Sequence, residues 1–232
     1  MKYKFSVIVP IYNEEKNLEK TIMDLINFLE KECEDYEIII VDSNSNDKSE
    51  IISKMLCKKY KKIRVIRQKE KKGIGNGLRE GYANCKMEYV WYRDADFPYK
   101  VSELKKSFPY LKDYDAVIGY KSGKRENLFR KIISVIYNGL IKTLFNLKFK
   151  DINYSYKIIR NDVLKKLDLR SDGWFIDAEI LIELKRGGYK VKQVHVPYTI
   201  RKCDESKVSS NYIQGIYGIL KEMLKYIKRK KF

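Results

Sequence analysis

Short apolar runs alternate with segments of helical periodicity through the first 119 residues, and this alternation constrains the fold more than any other feature. Residues 5–11 and 36–41 are predominantly apolar runs of strand length, and each is followed by apolar residues spaced three or four apart. Strands that are buried on both faces and joined by helices form parallel sheets covered by helices. The pattern therefore predicts an α/β fold: a Rossmann-like, mostly parallel sheet flanked by helices.

Polar residues follow the predicted strand at residues 89–92. This run leads directly to Asp94 and Asp96, two carboxylates that stand one residue apart. In open α/β sheets, ligands bind at the carboxyl ends of strands, and carboxylates suit hard cations such as Mg²⁺ or Mn²⁺. The pair predicts a metal site that also binds a phosphate, although the same spacing is common in solvated loops.

Two other strand ends and a glycine-rich segment predict a nucleotide crevice. The expected contacts are Pro10, Tyr12, Glu14, Asp42, Asn44 and Gly73. An acidic side chain at a strand end can accept hydrogen bonds from a base or ribose, and a glycine allows a diphosphate to approach the backbone. Each has a plain structural alternative: Asp42 could cap a helix, Gly73 could form an ordinary turn, and Tyr12 could pack on its own domain.

Composition and charge narrow the class of partner. The chain has 232 residues, enough for one large domain, and its 49 Lys and Arg against 31 Asp and Glu give a net charge of +18. Such a charge predicts anionic partners: nucleotides, nucleic acids, phospholipid headgroups or lipid phosphates. The four scattered cysteines form no Cys-x-x-Cys pair, which favours reduced thiols in a cytosolic protein over disulfides or zinc.

Two later segments have extensive apolar faces. Residues 128–149 are apolar on most of the helix circumference and could dock on the sheet or on lipid. Residues 211–230 predict an amphipathic helix with a basic tail, which could attach to an anionic membrane or pack on the core. No apolar stretch reaches the roughly 18 residues that cross a bilayer, so we expect a soluble or peripherally attached protein.

The order and spacing of these motifs resemble glycosyltransferase family 2 enzymes of the glycosyltransferase A fold, closest in pattern to polyprenyl- and dolichyl-phosphate hexose synthases. The similar segments are 9–14, 41–47, 73–81, 94–96, 129–134, 174–179 and the basic loop with Arg201 and Lys207. Four positions depart from the family pattern: Ser43 replaces an Asp, Pro98 replaces a Gln found in mannose synthases, and Cys203 and Asp204 replace an Arg and a Gly that are common in mannose synthases.

The resemblance implies an inverting hexosyltransferase that uses a nucleotide sugar such as GDP-mannose or UDP-glucose. Its acceptor would be a polyprenyl or dolichyl phosphate on the cytoplasmic face of the membrane. Residues 1–208 would form the catalytic domain, with a nucleotide-sugar-binding half (1–119) and an acceptor half (120–208), and residues 209–232 would form the C-terminal helix.

The resemblance also implies roles for particular residues. Asp94 and Asp96 would hold Mg²⁺ or Mn²⁺, and Arg130, Arg201 and Lys207 would supply positive charge to the departing nucleoside diphosphate. The expected catalytic residues are Asp96, Asp177 and Arg201.

The acceptor decides whether a general base is required. A lipid monophosphate is largely deprotonated at neutral pH and needs none, whereas a sugar hydroxyl does. Asp177 is the candidate base for a hydroxyl acceptor; alternatively, it caps its helix or positions Arg130 or Arg201.

Two other classes of protein are disfavoured. A nucleic-acid-binding protein would suit the +18 charge and the 19 tyrosines, but the basic residues are spread over the chain and no binding motif is recognised. Nucleotidyltransferases usually carry a glycine-rich loop with Arg and Lys near the N-terminus, and residues 9–14 lack one.

Overall fold

The computed structural model describes residues 3–96, 99–121, 128–197 and 212–230, without the side chains of 128–134, 212–214 and 216. Its strands are β1 (Lys4–Ile11), β2 (Asp35–Asp42), β3 (Ile63–Arg67), β4 (Tyr89–Tyr92), β5 (Ala116–Tyr120), β6 (Lys157–Arg160) and β7 (Val191–His195). Its α-helices are α1 (Leu18–Glu32), α2 (Ser49–Lys59), α3 (Ile74–Ala83), α4 (Leu128–Leu144), α5 (Asn161–Leu164), α6 (Ile176–Arg186) and α7 (Tyr212–Lys230). A 3₁₀ helix covers Val101–Tyr110.

The seven strands form one sheet in the order β3-β2-β1-β4-β6-β5-β7. Strand β6 runs antiparallel to both of its neighbours, and the other strand pairs are parallel. This architecture confirms the predicted α/β fold with a mostly parallel sheet. The expected boundary between two halves near residue 120 falls within this continuous sheet, because β6 lies between β4 and β5.

Alternate residues of the central strands enter two apolar cores on opposite faces of the sheet. Val7 and Ile38 belong to the core that also contains residues of α1, α2 and the 3₁₀ helix. Ile8 and Ile39 belong to the other core, which contains residues of α3, α4, α6 and α7. The period of two follows from strand geometry, in which successive side chains point to opposite faces.

One helix ends earlier than the sequence predicts. The helix expected over 128–149 ends at Leu144, because Asn146 adopts a left-handed conformation with φ of 50°. The N–H of Leu147 then donates to the carbonyl of Lys142 at 2.9 Å, so the last turn closes as a helix terminus.

The C-terminal helix packs on the protein. Met223 and Tyr226 are buried in the core shared with α6, whereas Tyr217 and Leu224 are exposed on the same helix. The helix therefore packs on the core, as one of the two alternatives predicts, and some of its apolar side chains remain exposed. Throughout the described residues, every helix is too short or too polar to cross a bilayer.

Candidate active site

The loops after β1 and β2 meet at one edge of the sheet. The two strands are parallel neighbours, and Pro10 pairs in register with Val41. The N–H of Asn13 donates to Ser45 Oγ at 2.9 Å, and the N–H of Glu14 donates to Ser49 Oγ at 2.8 Å. The structure thus brings together the two segments that the sequence assigns to one crevice.

Asp42, at the end of β2, supports the loop that follows it. Its side chain is fully buried, and its Oδ1 accepts the N–H of Ser45 at 2.9 Å. Its Oδ2 accepts from Arg67 Nη1 at 2.8 Å, and Nη2 of the same arginine donates to Asn44 Oδ1 at 3.2 Å. A direct contact between Asp42 and a nucleotide stays a prediction, since in this structure the carboxylate binds its own loop.

Arg67 and Lys71 contact two residues of the predicted crevice, Asp42 and Tyr12, and the sequence interpretation missed both basic residues. Arg67 is the last residue of β3, so the expectation that ligands bind at the carboxyl ends of strands also applied to it. Lys71 Nζ lies 3.5 Å from the ring centroid of Tyr12, a cation–π contact. Tyr12 therefore has an exposed basic neighbour beside the expected base site.

Asp94 and Asp96 follow β4, which is the other neighbour of β1. Tyr92 Oη donates to Asp94 Oδ1 at 2.8 Å. Between the carboxylates, Ala95 is buried, and its carbonyl accepts from Thr21 Oγ1 of α1 at 2.6 Å. Both acidic residues remain partly exposed while the residue between them is fixed to the core.

The carboxylates of Asp94 and Asp96 suit a divalent cation whose remaining coordination positions are filled by water and substrate phosphate. Within the described ranges, no three His, Cys, Asp or Glu side chains group together as a metal site. Mg²⁺ is usually bound by one or two carboxylates together with water and substrate phosphates. Two hard carboxylates at a strand end match that pattern.

Arg93, immediately before Asp94, is a buried cation beside these carboxylates. Its side chain is fully buried. The guanidinium carbon Cζ lies 5.8 Å from the ring centroid of Trp91 and 4.9 Å from that of Tyr99. None of the described residues accepts a hydrogen bond from its guanidinium. Burial lowers the pKa of Arg93, while the nearby carboxylates oppose that shift.

Asp177, in the first turn of α6, forms a buried ion pair. Lys157 Nζ of β6 lies 2.5 Å from Asp177 Oδ1 and also donates to the carbonyl of Tyr154 at 2.7 Å. Burial raises the pKa of Asp177, and the ion pair with Lys157 opposes this shift. Asp94 is close enough to add to the increase.

Lys157 is the partner that sequence reasoning missed. It pairs with Tyr92 across the antiparallel strands β4 and β6, which brings it to the end of β4 that leads to Asp94 and Asp96. No cap hydrogen bond from a side chain is present at the start of α6, so the structure gives no support to the capping alternative for Asp177.

The glycine-rich segment packs against the loop before α6. Gly73 has φ of +104°, and a Cβ there would overlap the carbonyl oxygen of Asp172. A Cβ on Gly75 would overlap the carbonyl oxygen of Ser171. These close contacts are sufficient to explain why glycine occupies both positions, whether or not a diphosphate binds there. The expected diphosphate contact at Gly73 stays a prediction.

Several expected site residues lie outside the described part of the chain. Arg201, Lys207 and Pro98 belong to undescribed segments, and Arg130 lies in α4 with its side chain undescribed. The charges expected to act on the departing diphosphate therefore remain sequence-based predictions.

Comparison with known proteins identifies the family. A family model described as "Glycosyl transferase family 2" matches residues 6–168. The chain therefore belongs to glycosyltransferase family 2.

Two relatives and one solved structure extend this comparison. The chain is 33% identical to the dolichol-phosphate mannosyltransferase of Pyrococcus furiosus, over 94% of its own length and 64% of the relative, so it spans less than two thirds of that protein. It is 23% identical to the dolichyl-phosphate beta-glucosyltransferase of Saccharomyces cerevisiae, over 88% and 69% of the two chains.

The solved structure is that of glucosyl-3-phosphoglycerate synthase from Mycobacterium tuberculosis in complex with UDP. It matches with a TM-score of 0.71 and 17% identity, covering 94% of this chain and 79% of the synthase. Other structures of that synthase contain UDP with Mn²⁺ or Mg²⁺. At this identity the likeness shows the fold, which is that of the glycosyltransferase A enzymes.

Proposed function

We propose that the chain transfers a hexose, with inversion, from a nucleotide sugar to a polyprenyl or dolichyl phosphate. The observation that carries the choice of acceptor is the buried ion pair between Asp177 and Lys157. A carboxylate held by a lysine at 2.5 Å is poorly placed to take a proton from a hydroxyl. A lipid monophosphate needs no base, because its second pKa is about 6.

The names of the relatives support the same acceptor class. Both curated relatives are named for dolichol- or dolichyl-phosphate sugar transfer, one with mannose and the other with glucose. Since the two names differ in the sugar, the donor is left open between GDP-mannose and UDP-glucose types.

In the proposed reaction, a phosphate oxygen of the acceptor attacks the anomeric carbon while the bond to the nucleoside diphosphate breaks on the opposite side. Asp94 and Asp96 would hold Mg²⁺ or Mn²⁺ against the diphosphate. When bound, the metal would stabilise the negative charge of the leaving group. Arg130, Arg201 and Lys207 would add positive charge around the same group.

An exposed apolar surface supports attachment to a membrane, which we propose is the cytoplasmic face. Phe145, the residue that follows α4, contacts α7: the ring centroids of Phe145 and Tyr226 lie 5.7 Å apart. The exposed apolar residues are Val135, Ile136, Leu140 and Leu144 on α4 and Tyr217, Leu220 and Leu224 on α7. Because α7 also ends in basic residues, this surface suits an anionic leaflet.

The test is transfer of radiolabel from UDP-glucose and GDP-mannose to dolichyl phosphate, with Mn²⁺ or Mg²⁺ and with EDTA as the control. Metal-dependent label in the organic phase would establish the acceptor class and identify the donor. No label in that phase, together with transfer to a soluble sugar, would contradict the lipid-phosphate assignment.

A second candidate is transfer to a sugar hydroxyl with Asp177 as general base. It is favoured by the burial of Asp177, which raises its pKa and so strengthens it as a base. The variant D177N separates the two: it should remove transfer to a hydroxyl acceptor, whereas a phosphate acceptor would still react if the protein folds.

A further inference from the structure

The loop before α6 is held by two carboxylates from different helices. Glu179 of α6 accepts the N–H of Arg170 at 3.0 Å and the N–H of Ser171 at 2.8 Å. Glu222 of α7 accepts the N–H groups of Asp172, Gly173 and Phe175 at 2.9, 2.6 and 3.3 Å. Five backbone donors of one short loop thus bind two side chains.

Glu222 is unusual in its own helix. It is the only acidic residue of α7, which otherwise carries lysines and an arginine on its polar positions. It is partly buried, and a Cβ on Gly173 would lie only 3.0 Å from its Oε2. The loop and the carboxylate are therefore closely fitted to one another.

The opposite side of the loop contacts the nucleotide-binding half. The N–H of Asn76 donates to the carbonyl of Asp172 at 3.1 Å, and Arg79 forms an ion pair with the Asp172 carboxylate. The loop is consequently held between α3 on one side and α7 on the other.

The loop leads directly to the acceptor side of the site. Trp174 is 45% exposed at this point, and Asp177 with its partner Lys157 follows within one turn. The end of β4, which carries Asp94 and Asp96, belongs to a different segment with its own contacts to α1.

We propose that Glu222, on the C-terminal helix, is a positioning residue: it fixes the loop 171–175 in the conformation that binds the acceptor. The proposal rests on the proposed transfer to a lipid phosphate. Glu222 acts through the backbone of the loop and does not itself contact either substrate. The C-terminal helix thereby builds part of the acceptor site, in addition to presenting an apolar surface.

Two variants at the same position form a matched test. In E222A all three backbone N–H groups lose their acceptor. In E222Q the amide oxygen can still accept from Asp172 and Gly173, which both donate to Oε1, so only the bond to Phe175 is lost. Because the loop loses every acceptor that α7 provides, E222A should raise the KM for dolichyl phosphate about tenfold or more.

The KM for the nucleotide sugar should rise less than the acceptor KM in both variants, because Glu222 binds the loop 171–175 directly and reaches the glycine-rich segment at Gly73 only through that loop. E222Q should recover most of the acceptor affinity. Equal increases in both KM values, or an E222Q variant as impaired as E222A, would overturn the proposal.

Tryptophan fluorescence provides a measurement that does not depend on activity. Trp91 is fully buried and Trp174 is 45% exposed, so collisional quenching by acrylamide reports mainly on Trp174. Quenching should increase in E222A and stay near the wild-type value in E222Q. Unchanged quenching in E222A would contradict the role of Glu222 even if the protein proves to use another acceptor.

G173A is the second variant, for the case in which E222A does not fold. Its Cβ would lie 3.0 Å from Glu222 Oε2, so the carboxylate must shift slightly relative to the loop. G173A should therefore raise the quenching and the acceptor KM, both by less than E222A does. A G173A protein in which only the KM for the nucleotide sugar rises would also overturn the proposal.

Discussion

At the scale of single residues, Asp96 offers the most direct test of the metal assignment. Replacing one of two carboxylates removes a charged oxygen ligand that a divalent cation requires. We expect D96N to lower transfer by about a hundredfold or more with an unchanged circular dichroism spectrum. D113N, which alters an exposed Asp outside the site, serves as the control; a fully active D96N enzyme would show that Asp96 is not a ligand.

Lys157 and Asp177 form a pair whose two members should have strongly coupled effects on stability. K157M leaves the Asp177 carboxylate buried without its cation, and breaking a buried pair in this way costs about 3–5 kcal/mol. Urea unfolding monitored by circular dichroism measures this loss. The double variant K157M/D177L should recover much of it, because both charges are then absent; a K157M variant as stable as wild type would exclude a structural contribution from the pair.

Cys85 should be chemically inert despite being a free thiol. Burial raises its pKa to about 12, so only about one molecule in ten thousand carries the thiolate at pH 8. The more exposed Cys57 should react first with iodoacetamide, and Cys85 only after unfolding or at strongly alkaline pH. Mass spectrometry of the labelled peptides checks this order, and rapid labelling of Cys85 in the folded protein would contradict it.

At the scale of secondary-structure elements, α3 depends on Gly73, the residue immediately before its first turn. G73A would place a side chain at φ of +104° and against the backbone of Asp172. Strain in such a conformation costs on the order of 1–3 kcal/mol, so we expect a lower melting temperature. G215A is the matched control, because no described atom lies within 4 Å of a Cβ at that position; similar stabilities for the two variants would exclude the close contact.

The parallel half of the fold was predictable because β1, β2 and β4 are mostly apolar runs that are buried on both faces. Strand β6 was not, since it has only two apolar residues, Ile158 and Ile159, between a lysine and an arginine. Its recognition requires knowing that β4 offers an open edge for pairing. The position of Lys157 beside Asp177 follows from that pairing, which sequence periodicity does not contain.

The candidate site was predictable where it lies at the ends of apolar strands, as at Asp94 and Asp96. It was not predictable where a residue acts on a distant loop. Glu222 contacts backbone groups that are 47 to 50 positions away. Its sole sequence signal is an acidic residue in an otherwise basic helix.

At the scale of the whole molecule, the exposed apolar residues of α4 and α7 predict binding to anionic vesicles. L220D/L224D should abolish flotation with such vesicles, since it places two negative charges on the proposed contact surface. High salt should also weaken wild-type binding, because the Debye length falls to about 3 Å at 1 M. Absence of wild-type binding at low salt would leave α7 as a core-packing helix alone.

The position of β6 also affects how the chain can assemble during synthesis. This strand fills the gap between β4 and β5 although it follows both in the sequence. A nascent chain that has emerged only as far as residue 120 therefore contains β1 to β5 but no strand that joins β4 to β5. Strands β1 to β6 can form one continuous sheet only after residue 160 has left the ribosome.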